Sequence, residues 1–68
     1  MNYFARYQGT PNWTEMSQAT PALAAKAFVE FSPYHVRDTF MVQVKKAHGK
    51  VHLLKVHVEG YLTVEHVE

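Results

Sequence analysis

The sequence predicts an α+β fold in which one amphipathic helix packs on one face of a small antiparallel sheet. The hydrophobic period is 3.6 residues between Thr20 and Phe31, and it changes to two residues from Asp38 onwards. These two periods are those of a helix and of half-buried strands. A separate aromatic run at residues 2–8 indicates a first strand. The predicted order is therefore β-α-β-β, with a short further strand at the C-terminus.

Composition indicates a single compact domain over residues 1–68. Apolar residues make up 47% of the 68 residues and charged residues 19%, which is typical of a globular chain. The chain has no cysteine, which excludes a disulfide framework and a thiol nucleophile and fits a reducing compartment. Residues 1–7 lack a secretory pattern, and the apolar stretches are too short to span a bilayer. We therefore expect a cytoplasmic protein that does not associate with membranes.

The N-terminal third is predicted to contain one strand and a long loop. The aromatic run at residues 2–8 is bounded by Gly-Thr-Pro, which favours a turn. We predict that the side of this strand carrying both tyrosines faces the helix. Residues 9–18 are predicted to form a loop, in which Trp13 folds back as a lid on the core.

The helix is predicted from its start signal and its apolar stripe. Thr20 can cap the free N–H groups of the first turn, and Pro21 suits the first helical position. Ser32-Pro33 is predicted to end the helix, because the residue before a proline avoids the α region. The apolar stripe at i, i+3, i+4 and i+7 consists of Ala24, Ala27, Phe28 and Phe31.

The C-terminal half is predicted to form a hairpin with one buried face and a turn around residues 48–50. The even-numbered positions from 40 to 58 are apolar and alternate with more polar ones. The favoured register places Val44 opposite Leu54, Val42 opposite Val56, and Phe40 opposite Val58. A register that slips by one residue would mix the two faces.

Residues 59–61 allow two structures, because the apolar residues stay at even-numbered positions beyond them. The chain either turns at Glu59-Gly60-Tyr61 and starts a further strand, or runs on through a bulge at Gly60. We favour the turn, because an unbroken strand over residues 51–67 would far exceed the usual ~5–6 residues.

Protein binding is the function that the sequence favours first. The exposed face of the hairpin mixes apolar and long polar side chains, as protein contact surfaces do. A homodimer formed across a sheet edge is a further prediction, since small domains gain stability by association. The predicted contact residues are Met41, Gln43, Lys45, Leu53, Lys55 and His57.

Nucleic-acid binding is the alternative, because basic residues gather on the hairpin. The lysines concerned are Lys45, Lys46, Lys50 and Lys55, with Arg6 and Arg37 as further candidates. A net charge of only +1 gives little general attraction for phosphates. Single-strand binding also needs aromatic side chains on which bases stack. The outward positions of the hairpin carry none, which leaves only Tyr61.

Catalytic and metal-binding motifs are absent from the sequence. Asp38 is the only aspartate, and there is no Gly-rich phosphate loop or helical histidine pair. His57 with Glu59, and His66 with Glu68, could each contribute to a metal site. Both pairs are equally explained as ordinary polar residues on the solvent-exposed face of a sheet. We therefore expect no enzyme activity, no metal and no cofactor.

These observations predict a small non-enzymatic module that binds another protein. No motif of the chain identifies a family. Its size and element order suit an accessory protein of a phage or mobile element, and some such proteins inhibit a host enzyme. That expectation depends on an analogy of size and fold rather than on a site.

Overall fold

The computed structural model describes residues 2–31 and 38–68 of the chain. Within them lie one helix and five strands, and every strand pair is antiparallel. The strands form one sheet in the order β2-β1-β3-β4-β5, and the predicted fold class is confirmed. The bounds are β1 Tyr3–Tyr7, β2 Thr14–Met16, α1 Pro21–Phe31, β3 Thr39–Lys45, β4 His52–Val58 and β5 Leu62–His66.

Strand β2 lies within residues 9–18, which the sequence predicts to be a loop, so that prediction is wrong in part. Met16 lies opposite Tyr3 and is only 5% exposed. The strand is three residues long and mostly polar, so its own sequence gives little strand signal. Pairing with β1 and the burial of Met16 stabilise it instead, since strand formation depends strongly on tertiary context. The element order is β-β-α-β-β-β.

Helix α1 begins as predicted. The Leu23 N–H donates a hydrogen bond to Thr20 Oγ1 at 3.1 Å, and Pro21 is the first helical residue. The predicted Ser32-Pro33 ending lies outside the described residues. The residues that the helix buries are Ala24, Ala25, Ala27 and Val29.

The predicted apolar stripe of α1 is only partly correct. Phe28 is half-buried against the core, whereas Phe31 is 80% exposed. Three of the four buried helical positions are alanines, and small side chains let a helix approach a sheet closely. The sheet therefore covers a broad arc that includes Val29, and the terminal Phe31 projects into solvent.

The β3–β4 hairpin has the predicted faces but not the predicted partners. Val42 lies opposite Leu54 and Phe40 opposite Val56, so each predicted partner is displaced by two residues. A shift by two keeps every side chain on its face, so the hydrophobic pattern cannot distinguish the two registers. The connecting segment, residues 46–51, decides between them and includes a hydrogen-bonded turn in place of a shorter loop.

The predicted turn between β4 and β5 is confirmed. Val58 lies opposite Leu62, and the Glu59 N–H donates to the Tyr61 carbonyl at 3.0 Å. Gly60 has a φ of +81°, a left-handed conformation that glycine adopts without steric cost. The chain therefore reverses at this point, and β5 pairs beside β4.

The core lies between α1 and the sheet. Both tyrosines of β1 point toward the helix as predicted, and the Tyr7 ring lies 4.7 Å from Phe28 and 5.5 Å from Phe40 between centroids. The side chains that are no more than 1% exposed are Ala5, Ala24, Ala25, Val29, Val42, Val44, Leu54, Val56 and Val58. Helix α1 therefore covers the centre of this face, while Tyr7, Phe40, Leu62 and Val64 at its margin are partly buried.

Candidate binding surface on the outer face of the sheet

The outer face is the side of the sheet opposite α1. Side chains alternate along a strand, so the neighbours of the buried residues point to this side. Phe4 lies opposite Lys45 and Arg6 lies opposite Gln43 across β1 and β3. The side chains that form the outer face are Phe4, Arg6, Glu15, Thr39, Met41, Gln43, Lys45, Leu53, Lys55, His57, Thr63 and Glu65.

Trp13 lies on the outer face, so the prediction that it covers the core is wrong. The Arg6 guanidinium carbon is 4.2 Å from the centroid of the indole ring, and Lys45 Nζ is 4.8 Å from it. A cation over an indole face is attracted by the electrons of the ring. Two neighbouring strands present these cations side by side, while α1 already fills the inner face.

Gln43 fixes the arginine beneath the tryptophan. Arg6 Nε donates a hydrogen bond to Gln43 Oε1 at 2.7 Å, across the β1–β3 pair. Phe4, Trp13, Lys45 and Ala47 line an open depression of about 270 Å³ beside this stack. The three side chains Trp13, Arg6 and Gln43 are called the tryptophan stack below.

The tryptophan stack could be only partly inferred from the sequence. The alternation of β1 already places Phe4 and Arg6 on the side away from both tyrosines. The position of Trp13 depends on β2, which brings the intervening loop back over the sheet. The sequence gives no local sign of that strand.

The six predicted protein-contact residues share the outer face. Met41 and Leu53 are half-buried and provide apolar area in its middle, while Lys55 is exposed opposite both Met41 and Glu65. His57 lies at the far end from the tryptophan stack. Its Nδ1 is 2.7 Å from the Thr39 hydroxyl, and its Nε2 is 3.4 Å from a carboxylate oxygen of Glu59.

The four lysines of the nucleic-acid alternative do not form one surface. Lys45 and Lys55 both lie on the outer face, but four residues of strand separate them, about 13 Å. Lys46 turns toward the inner side, with Nζ 5.8 Å from the Tyr3 ring, and Lys50 is exposed in the turn. Arg37 lies outside the described residues. Among the described residues, Arg6 and Lys45 therefore lie together beside Trp13, whereas the other hairpin lysines are dispersed.

The two histidines of the metal interpretation lie on opposite faces of the sheet. His57 pairs with Thr63 on the outer face, whereas His66 pairs with Leu54 on the side of α1. His66 Nε2 is 2.9 Å from the Glu68 carbonyl oxygen, and its ring lies edge-on to His52. Within residues 2–31 and 38–68, no three potential ligands come together around one point.

Comparison of the chain with models of protein families, with curated proteins and with solved structures found no match. No helix in the described part of the chain is long and apolar enough to cross a membrane.

Proposed function

We propose that this protein is a small non-enzymatic module that binds another protein through the outer face of its sheet. The observation that supports this proposal best is the tryptophan stack. Trp13 lies over Arg6, and Gln43 holds that arginine by a hydrogen bond on a face that α1 leaves uncovered.

Tryptophan and arginine are the residue types that most often dominate the binding energy of protein interfaces. Here Arg6 is already held in one place by Gln43 and Trp13. A side chain fixed before association loses less conformational freedom on binding. The stack is therefore suited to act as an anchor, with Met41 and Leu53 as adjoining apolar contacts.

The charges of the outer face indicate how a partner would be oriented. Lys55 faces Glu65, and Glu59 lies beside His57, so carboxylates accompany the cation of the far end. Arg6 and Lys45 beside Trp13 outnumber Glu15, which lies opposite Phe4, so the other end is basic overall. We therefore expect the partner to place carboxylates near Trp13 and apolar side chains over Met41 and Leu53.

Affinity capture with matched variants tests this proposal. The tagged chain is exposed to a lysate of the organism that encodes it, alongside Trp13→Ala, Leu53→Asp and Glu30→Lys. Glu30 is exposed on the helix and serves as the control for a charge change away from the outer face. A protein retained by the parent and by Glu30→Lys, but lost by both outer-face variants, is the expected result.

The captured protein is then titrated directly against the purified chain. Trp13 is the only tryptophan, so a partner that lacks tryptophan can be followed by its fluorescence. Capture that is equal for the parent and all three variants would contradict the proposal. When the partner is an enzyme, its activity with added chain tests the finer proposal that this is an inhibitor from a phage or mobile element.

Single-stranded nucleic acid is the second candidate, and one structural observation favours it. Phe4 and Trp13 place two aromatic rings on the outer face beside Arg6 and Lys45. Stacking platforms with adjacent cations are what sequence-tolerant single-strand binding requires. The outward positions of β3 and β4 carry no aromatic platform, as predicted, but the inference that this leaves only Tyr61 is wrong.

A titration with short mixed-sequence DNA and RNA distinguishes the two candidates. At ~0.1 M salt, nucleic-acid binding predicts amide shifts around Phe4, Trp13 and Lys45 that weaken steeply as salt is added. A flat response removes this candidate.

A further inference from the structure

Strand β5 is one edge of the sheet and is the longer of its two edges. It has five residues, whereas β2 at the other edge has three. β5 contains neither proline nor lysine, and no other strand of the described residues pairs with its outer side. Proline, charged side chains (lysine above all) and shortness are the usual protections of an edge strand. Of these, β5 has only the single carboxylate of Glu65.

The hydrogen-bond pattern shows which backbone groups of β5 point outward. The Val58 N–H donates to the Asp38 carbonyl at 2.8 Å, so the backbone of Val58 is directed toward β3. Leu62, opposite Val58, therefore points its N–H and C=O away from β4. The pattern alternates, and the Val67 N–H accordingly donates back to the Leu53 carbonyl at 2.8 Å. Leu62, Val64 and His66 thus present free donors and acceptors at the edge.

We propose that two copies of this chain pair through β5, antiparallel about a two-fold axis at Val64. In this register Val64 lies opposite Val64 of the second copy, and Leu62 opposite His66 of the second copy. These are the residues whose backbone groups point outward, so they can form about six hydrogen bonds between the copies. The two sheets become one continuous sheet with both helices on the same side.

The side chains are complementary in this register. Thr63 lies opposite Glu65 of the second copy, so no like charges meet, whereas an axis at Glu65 would set two glutamates opposite each other. Leu62 and Val64 are half-buried at the margin of the core, and the pairing covers them further. Tyr61 and Val67, 66% and 44% exposed, flank β5 and lie opposite each other across the axis.

The β5 edge lies apart from the tryptophan stack, which is the proposed anchor of the partner site. Strands β3 and β4 lie between β5 and β1, which carries Arg6. The lysine-rich hairpin is central in the sheet, so its lysines do not protect an edge. Dimerisation through β5 leaves the tryptophan stack uncovered, and its test does not depend on the proposed function.

Sedimentation equilibrium of the full chain is the first test. Short edge pairings bury little area, so we expect a concentration-dependent monomer–dimer equilibrium below ~1 mM. Thr63→Lys is expected to tighten the dimer and Thr63→Glu to weaken it, each by ~3-fold or more. The two-fold axis places residue 63 of each copy opposite Glu65 of the other, so each change alters two pairs. Residue 63 is exposed, so the folded monomer tolerates both changes. A chain that stays monomeric up to ~1 mM overturns the proposal.

Cysteine substitution tests the register, because the chain contains no cysteine of its own. At the axis the two Cα atoms are ~5.5 Å apart, within disulfide range, so Val64→Cys is expected to form a covalent dimer on mild oxidation. Two copies of residue 63 are ~8 Å apart in this register, so Thr63→Cys serves as the matched control and is expected to remain largely unlinked. Equal cross-linking of both variants, or cross-linking through Thr14→Cys on β2 instead, overturns the proposal.

Discussion

The two faces of the sheet are built from the same strands but differ in how they are covered. At the centre of the inner face, the side chains of β3 and β4 such as Val42, Val44 and Leu54 are almost fully buried under α1. On the outer face, the half-buried Met41 and Leu53 lie beside charged residues, and only Trp13 folds over part of the surface. Adjacent residues of one strand therefore have different roles: one set stabilises the fold, and the other is available for binding.

This difference separates changes that affect stability from changes that would affect the proposed binding of a partner. In a chain of 68 residues one helix supplies the whole second layer, so the inner face cannot lose much apolar area. The outer face contributes little to the core and can vary more freely. A substitution on each face should therefore give a different balance of folding and binding effects.

Leu54 and Leu53 provide the largest contrast, because they are neighbours on opposite faces. Leu54 is 1% exposed, so Leu54→Ala should cost about 2–5 kcal/mol of unfolding free energy through lost burial and a cavity. Leu53→Ala should cost less than about 1 kcal/mol. Urea unfolding followed by circular dichroism measures both. Equal losses would mean that something covers the outer face as completely as α1 covers the inner one.

Phe28 and Phe31 provide a smaller contrast along the helix. Phe28 is half-buried and contacts Tyr7, so Phe28→Ala should cost about 2–3 kcal/mol, below the ~3–5 of a fully buried phenylalanine. Phe31 is 80% exposed, and Phe31→Ala should change stability by less than about 0.5 kcal/mol. Thermal and urea unfolding check both. A larger loss at Phe31 would restore the helical stripe that the sequence predicts.

The inner face could be predicted from the sequence because it depends on periodicity. The Thr20-Pro21 start, the tyrosine side of β1 and the even positions of β3 and β4 all follow from local patterns that the structure confirms. The hairpin partners could not be predicted, because a register shift of two residues preserves the pattern. Turn length decides the register, and residues 46–51 carry no turn signal strong enough to fix it.

The candidate binding surface was predictable only on β3 and β4. All six residues that the alternation of the strands predicted lie together on the outer face. The tryptophan stack escaped prediction because it combines residues from β1, β3 and a loop that are far apart in sequence. A cation–π contact produces no periodic pattern in the sequence. Strand β2, which positions the loop, has mostly polar residues and so gives no hydrophobic signal either.

Trp13 is expected to give a smaller loss than Leu54 or Phe28, and it sharpens the comparison most because its side chain folds over the outer face. Exposed cation–π contacts are worth about 0.5–1 kcal/mol each, so Trp13→Ala should lower the unfolding free energy by about 1 kcal/mol. Trp13→Phe should recover part of this loss, because a smaller ring keeps a weaker attraction for Arg6. Circular dichroism is the readout, because both variants remove the only tryptophan. A loss above about 3 kcal/mol would indicate a core lid, as the sequence predicts, because that is the range for a buried tryptophan. No loss at all would mean that the ring is not held over Arg6, and the outer face would then have no preformed anchor for a partner.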